Sequence, residues 1–312
     1  YYRDGSWWTY CFASGQLVRH RMALESLNAE DPTQHEVYPV AGWGLDDHSL
    51  LVYDRYDLWY IPLDGSTPKR LTQGREKGMT YRIVLPRESE FYTANFRGHV
   101  DLAVDLTKPL VLSGKRGNDT GYLVFSPGGS LSALKFEASL NSDLLLSKDR
   151  SSVVFQSQRY DQPSVLQFCT LASRKTANIF QSNPQHWQYQ WGRQEIISYQ
   201  DSDGQTLQGL LYYPVDYVSG KRYPMVVSVY EKQTYMQHYY TNPSVLMMNG
   251  FNVAHLTAQG YFVLMPDIEY RLGAPGISAA DCVAAATRAV LGTGMVLPDK
   301  VGLMGHSFGG YE

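Results

Sequence analysis

One octapeptide of the sequence is built for chemistry: Gly305-His306-Ser307-Phe308-Gly309-Gly310-Tyr311-Glu312. A serine hydroxyl is a poor nucleophile until it is presented to a base. Gly-x-Ser-x-Gly does the presenting by forming a sharp strand-to-helix corner with the hydroxyl at its tip. Gly305 and Gly309 flank the serine where side chains would collide with the incoming strand and the outgoing helix. In a chain with 27 glycines such a pattern also arises by chance, so its weight comes from context. Lys300-Val301-Gly302-Leu303-Met304 reads as a buried strand running straight into it. The chemistry is acyl transfer with Ser307 as nucleophile, and it calls for no cofactor. It does need donors for the oxyanion. The Phe308 N–H is one by construction of the corner. The second should come from the end of an earlier strand, and Tyr230 ends the apolar run from Met225. A tyrosine there is either that donor or a core or rim residue.

The elements around this corner follow from the pattern of residues 191–312. Glu195 to Tyr199 and Leu207 to Pro214 flank Asp201-Ser202-Asp203-Gly204 and make a hairpin. That turn has the aspartate spacing of part of a calcium loop but lacks the bidentate glutamate that should follow, so it is read as a turn. Tyr223 to Tyr230 is a buried strand. Ser244 to Ala258 has helical spacing, with Gly260 as its stop, and Tyr261 to Pro266 is the next strand. Ser278-Ala279-Ala280-Asp281 reads as a capping box opening a helix with Cys282, Val283, Ala286 and Val290 on one face. Strand, helix, strand, helix, strand predicts an open, mostly parallel α/β sheet.

Residues 1–190 differ. Short alternating runs rich in Tyr, Trp, Val and Leu are separated by turn residues, the pattern of an antiparallel all-β domain. Ser49 to Tyr53 and Asp57 to Ile61 are strands, and Asp64-Gly65 turns the chain toward Lys69 to Thr72. A second copy runs through Ser152 to Phe155 and Val165 to Phe168, and Arg159-Tyr160-Asp161 echoes Arg55-Tyr56-Asp57. Glu90 to Thr93 with Asp101 to Val104, and Tyr122 to Phe125 with Ser132 to Lys135, add further couplets. Recurrence at roughly 30 to 45 residues fits β-propeller blades, of which this length holds about three to four. A β-sandwich has strands at similar spacing.

Composition excludes some functions. A formal net charge of -3 with no basic cluster offers nucleic acid no field to bind. Cys11, Cys169 and Cys282 are too scattered for a disulfide framework or a metal pair and read as buried small hydrophobes. No apolar run is long enough to span a bilayer. The sequence opens on Tyr1-Tyr2 without a methionine, and both ends read as cuts.

Gly-His-Ser-Phe-Gly-Gly-Tyr-Glu at 305–312 resembles the nucleophile motif of the prolyl oligopeptidase family of serine peptidases, which includes the dipeptidyl-peptidase and acylaminoacyl-peptidase types. The resemblance extends through Asp203-Gly204, Leu207-Gln208-Gly209, Leu211 to Pro214, Tyr223 to Val227 and Asp54 to Trp59. It implies a multidomain chain: a partial β-propeller over 1–190, then the N-terminal part of an α/β-hydrolase domain over 191–312. The propeller filters access, so the expected substrates are short peptides. It also implies that Tyr230 donates to the oxyanion and that Phe308 lines the pocket for the residue before the scissile bond. The sequence departs from the family just after Tyr230. Glu231-Lys232-Gln233 stands where many members have small residues, which puts charge near the site and leaves a proline requirement open.

In α/β-hydrolases the triad runs Ser, Asp, His in chain order, so both partners are expected beyond residue 312 and these 312 residues alone are expected to be inactive. His306 diverges from the serine on the corner. His238, His255, Asp267 and Asp281 precede it and read as loop, cap or surface groups. Glu25, Glu36, Glu88 and Glu90 are candidates to hold a substrate amino terminus. The resemblance favours a periplasmic or secreted location. An esterase on the same fold and a non-catalytic propeller that binds a partner are the competing readings; the propeller argues against the first and the intact corner against the second.

Overall fold

A computed structural model describes residues 1–24, 39–45, 47–84, 103–244 and 250–312. The chain divides into two compact units, Tyr1–Ser157 with Leu166–Phe180, and Gln158–Val165 with Gln181–Glu312.

The first unit is made of sheets that largely follow one another along the chain, as propeller blades do, and their pairings are antiparallel in the first and third, whereas in the second Val40–Gly44 lies parallel to Ala103–Val104. A three-stranded sheet holds Tyr2–Arg3, Ser6–Tyr10 and Leu17–His20. A second has Ser49–Tyr53 at its centre, flanked by Leu58–Pro62 and Val40–Gly44, with Lys69–Arg70 and Ala103–Val104 at the edges. A third orders Leu131–Phe136, Asp119–Phe125, Leu110–Arg116 and Thr80–Ile83, and a fourth runs in sequence order from Leu140–Leu146 to Thr176–Gln181. Strict alternation of burial along Gln162–Thr170 shows why these segments are strands: every second side chain is buried in a core. Leu51, Leu58, Leu112 and Phe125 share one such core, and Val111, Val124, Phe155 and Cys169 another. Cys169 and Cys282 are buried as expected, whereas Cys11 is exposed, because it lies in the turn after Ser6–Tyr10. Of the expected couplet near residue 90, Glu90 to Thr93 lies outside the described residues.

The Arg-Tyr-Asp echo conceals different roles. Asp54 and Asp57 are fully buried. Asp54 accepts the N–H groups of Tyr56 (2.8 Å) and Asp57 (2.6 Å) and the Trp59 indole (3.0 Å). Asp57 accepts the Thr72 hydroxyl (2.6 Å) and the Gly74 N–H (2.5 Å). Asp161 instead has a half-exposed carboxylate paired with Arg159 at 3.3 Å.

The second unit has five strands: β1 (Gln194–Gln200), β2 (Thr206–Tyr212), β3 (Tyr223–Val229), β4 (Phe262–Pro266) and β5 (Val296–Gly305). Their order is β1-β2-β4-β3-β5. β2 pairs antiparallel with β1 and β4, while β3 lies parallel to both β4 and β5. The β1–β2 turn closes on Asp201, whose carboxylate accepts the N–H groups of Asp203 (3.0 Å) and Gln205 (2.8 Å). Helix α1 (Val253–Ala258) is capped by the Asn252 side chain, which accepts from the His255 N–H at 2.9 Å. Residues 245–249 of the expected longer helix lie outside the described residues.

Helix α2 (Pro275–Gly292) corrects the expected capping box. It starts with Pro275, whose fixed φ suits the first helical position. Ser278 is therefore already inside the helix, donating back to the Ala274 carbonyl at 2.8 Å. Asp281 accepts from Ser202 and pairs with Arg271 at 2.9 Å. The apolar face is as expected: Cys282, Ala286 and Val290 pack on Met225, Val227, Phe262 and Leu264. Each large side chain so buried contributes roughly 1.5–3 kcal/mol. Among the described residues no helix is long and apolar enough to cross a membrane.

Candidate active site

β5 ends at Gly305, and helix α3 (Phe308–Tyr311) begins three residues later. Ser307 stands between them with φ 56 and ψ -124. No L-residue region includes that pair, so the corner holds the serine in strained backbone. The chain closes on itself so tightly that a Cβ at Gly305 would stand 2.1 Å from the Gly309 carbonyl oxygen. A Cβ at Gly309 would stand 2.0 Å from the Val229 oxygen, which belongs to β3. Both glycines are thus required by backbone proximity. For Gly309 the neighbour is an adjacent strand rather than the elements that flank the serine.

Sheet register supplies the second half of the site. Val229 of β3 is aligned with Gly305 of β5, so the two parallel strands end side by side and their next residues, Tyr230 and His306, leave the sheet together. This is the carboxyl edge beside the strand at which chain order reverses, from β4 on one side to β5 on the other. Tyr230 follows β3 rather than ending it, and its Cδ2 lies 3.3 Å from where a Gly309 Cβ would be. Ser307 and Tyr230 line one cleft of about 460 Å³, together with Gln233, Tyr235, Met236, Phe251, Met265 and Met304. Phe308 does not line it. Its ring packs edge-on against Tyr270 (5.9 Å) and stacks with Tyr311 (5.5 Å). The Phe308 N–H is the first of α3 and has no partner inside the helix.

The chain after Tyr230 is tightly held. Glu231 has φ 34, and its carbonyl accepts from the Ile268 N–H at 3.0 Å. The Asp267 carboxylate accepts the N–H groups of Gln233 (2.6 Å) and Thr234 (2.8 Å) and the Thr234 hydroxyl (2.5 Å). Of the residues expected to bring charge to the site, Gln233 is buried and donates its side-chain amide to the Ser228 carbonyl at 2.9 Å. Lys232 pairs with Glu269 at 2.8 Å. Tyr270 donates its hydroxyl to Glu312; burial first, then that carboxylate, holds the phenol well above its ordinary pKa.

None of the other His and Asp candidates is placed as a base for the serine by a hydrogen bond among the described residues. The Ser307 side chain caps nothing. His255 contacts Gln259 at 2.8 Å, His238 is buried in the turn after Tyr230, and Asp267 and Asp281 are engaged as above. His306 is exposed on the corner. Glu25, Glu36, Glu88 and Glu90 lie outside the described residues. Asp267, Tyr270 and Met265 had no local signal of proximity to the site, since each lies tens of residues from Tyr230 and Ser307 along the chain, and Met236 and Met304, though near them in sequence, belong to no motif.

No protein-family model and no curated protein sequence matches the chain. Solved structures do. A Bacteroides ovatus protein assigned as a dipeptidyl aminopeptidase IV superposes with TM-score 0.62 at 17% identity, over 88% of this chain and 41% of its own. Dipeptidyl peptidase 4 of Porphyromonas gingivalis gives 0.60 at 15%, over 84% and 37%. A puromycin-hydrolyzing peptidase of Mycobacterium tuberculosis gives 0.58 at 15%, over 85% and 40%. The chain thus spans less than half the length of each. These proteins are peptidases of the prolyl oligopeptidase family. Its successive, largely antiparallel sheets, mixed five-stranded sheet and strained serine corner give this chain the fold of that family, a partial β-propeller followed by the N-terminal part of an α/β-hydrolase domain.

Proposed function

We propose that the chain carries the nucleophile and oxyanion donors of a serine peptidase that cuts short peptides. The observation that carries the reading is Ser307 itself, held at φ 56 and ψ -124 beside a cleft it shares with Tyr230. Strain of this kind persists only where the surrounding structure enforces it, and it is concentrated at functional positions.

Ser307 Oγ attacks the scissile carbonyl carbon, and the carbonyl oxygen becomes an oxyanion that accepts hydrogen bonds from the Phe308 N–H and the Tyr230 hydroxyl. A histidine takes the serine proton and then delivers it to the leaving amine, and an aspartate orients that histidine. Both follow the serine in chain order and come from outside these 312 residues. Met236, Phe251 and Met304 favour an apolar side chain in the cleft. The restriction to short peptides follows from the resemblance, in which a propeller filters access.

The test uses the natural gene product that contains this chain, assayed on chromogenic dipeptide and longer peptide amides with the matching esters as comparison. Amide hydrolysis that Ser307→Ala reduces by at least about a thousand-fold is the expected result. Hydrolysis of esters only would favour the esterase reading, and amide turnover indifferent to Ser307→Ala would overturn the proposal. The 312 residues alone are expected to give no turnover.

A further inference from the structure

We infer that Asp267 is a positioning residue for Tyr230, fixing the turn that aims the tyrosine hydroxyl at the oxyanion. This rests on Tyr230 being an oxyanion donor. The Tyr230 side chain is 42% exposed, so packing on its own ring does not determine where the hydroxyl points. The backbone on either side must do so. Upstream, Val229 is locked in β3 against β5. Downstream, the chain turns at once through Glu231, a residue with a side chain at φ 34, a conformation that needs outside support.

That support converges on the end of β4. The Asp267 carboxylate, in a residue 8% exposed, takes both main-chain N–H groups that follow the turn, those of Gln233 and Thr234, on one oxygen and the Thr234 hydroxyl on the other. Ile268 donates its N–H to the Glu231 carbonyl at 3.0 Å. The anchor is itself fixed to the sheet. The Asp267 N–H donates to the Gln208 carbonyl of β2 at 2.8 Å, and its carbonyl accepts the Tyr199 hydroxyl from β1. A single side chain that satisfies three donors leaves the loop few alternatives. Three of the roughly four acceptor positions of the carboxylate are thus committed to the turn after Tyr230. Its place is therefore behind the donor.

The experiment is a double-mutant cycle on the natural gene product, with a chromogenic peptide amide as probe and kcat and KM determined separately. Tyr230→Phe is expected to lower kcat about 100- to 1000-fold. Asp267→Ala is expected to lower kcat about 10- to 100-fold with KM within about two-fold, the signature of an interaction used only in the transition state. Asp267→Asn keeps an acceptor for the two N–H groups and should recover part of that loss. In the Tyr230→Phe background Asp267→Ala should cost little more, because the hydroxyl it aims is gone. If Asp267→Ala fails to fold by circular dichroism, Thr234→Val, which removes one of the three bonds, takes its place in the cycle. Equal losses in both backgrounds would make Asp267 merely structural and overturn the inference while leaving Tyr230 its role. An unchanged kcat in Tyr230→Phe would instead remove the oxyanion reading and this inference with it.

Discussion

Replacing Ser307 by glycine is expected to stabilise the chain while removing its nucleophile. At φ 56 and ψ -124 the serine lies outside the regions open to L-residues, and a backbone so placed costs about 1–3 kcal/mol. Glycine adopts the same angles without the Cβ clash, but its freer unfolded chain costs about 0.5–1 kcal/mol in return. The Ser307 side chain makes no capping hydrogen bond that the change would remove. Alanine keeps the Cβ and hence the strain, which makes it the proper reference. The balance favours Ser307→Gly over Ser307→Ala by about 0–2.5 kcal/mol, centred on about 1 kcal/mol, and each 1 kcal/mol is worth about 2–4 °C in Tm for a chain of this order of size. Urea unfolding and scanning calorimetry of the two variants, side by side on the 312-residue chain, read the difference directly. Ser307→Gly melting below Ser307→Ala would refute the claim that the corner is strained, and with it the main support for the nucleophile.

Gly309→Ala should do the opposite: a Cβ 2.0 Å from the Val229 oxygen has to push the corner off β3, at an overpacking cost of about 1–3 kcal/mol seen as a lower urea midpoint. In the first unit, Asp57→Ala strips the acceptor from Thr72 and Gly74 in the interior, while Arg70 keeps its pairing with Glu76, and should cost about 1–3 kcal/mol for each donor left unsatisfied. Asp161→Ala, at the echoed position, has a half-exposed carboxylate and should stay within about 0.5 kcal/mol on the same assay. Burial pushes Tyr53, Tyr122 and Tyr160 up to about 12. Their folded pKa is raised above the unfolded value of about 10, so the stability they contribute is full below pH 10 and is lost as pH rises through 12. Tyrosinate absorbance should therefore show a class of tyrosines that ionises only together with alkaline unfolding. Ionisation of all tyrosines near pH 10 with the fold intact would contradict it.

How far the sequence could be read depended on the range of the forces involved. The continuous apolar run within Ser49–Tyr53, the alternation along Gln162–Thr170, the Asp201 turn and the Gly305-to-Gly309 corner were legible because each rests on steric and hydrogen-bonding preferences acting within a few residues. The helix start shows where such preferences compete. Ser278-x-x-Asp281 has the spacing of a cap, but Pro275 offered an earlier start, and Asp281 was drawn off to Ser202 and Arg271 across the fold. The echoed Arg-Tyr-Asp triplets mislead for the same reason: Asp57 is buried among donors from Thr72 to Arg75, whereas Asp161 faces solvent.

Sequence alone therefore determined that a serine would be presented on a glycine-flanked corner at the end of a strand, since that geometry is written in adjacent residues. Only the tertiary structure decided what stands beside it. The alignment of Val229 with Gly305 brings Tyr230 to Ser307, the β3 carbonyl makes Gly309 obligatory, and Asp267 reaches back across the sheet edge to hold the turn after Tyr230. Strand order and register are set by packing of the whole sheet, and no local pattern encodes which distant acceptor a buried N–H will find.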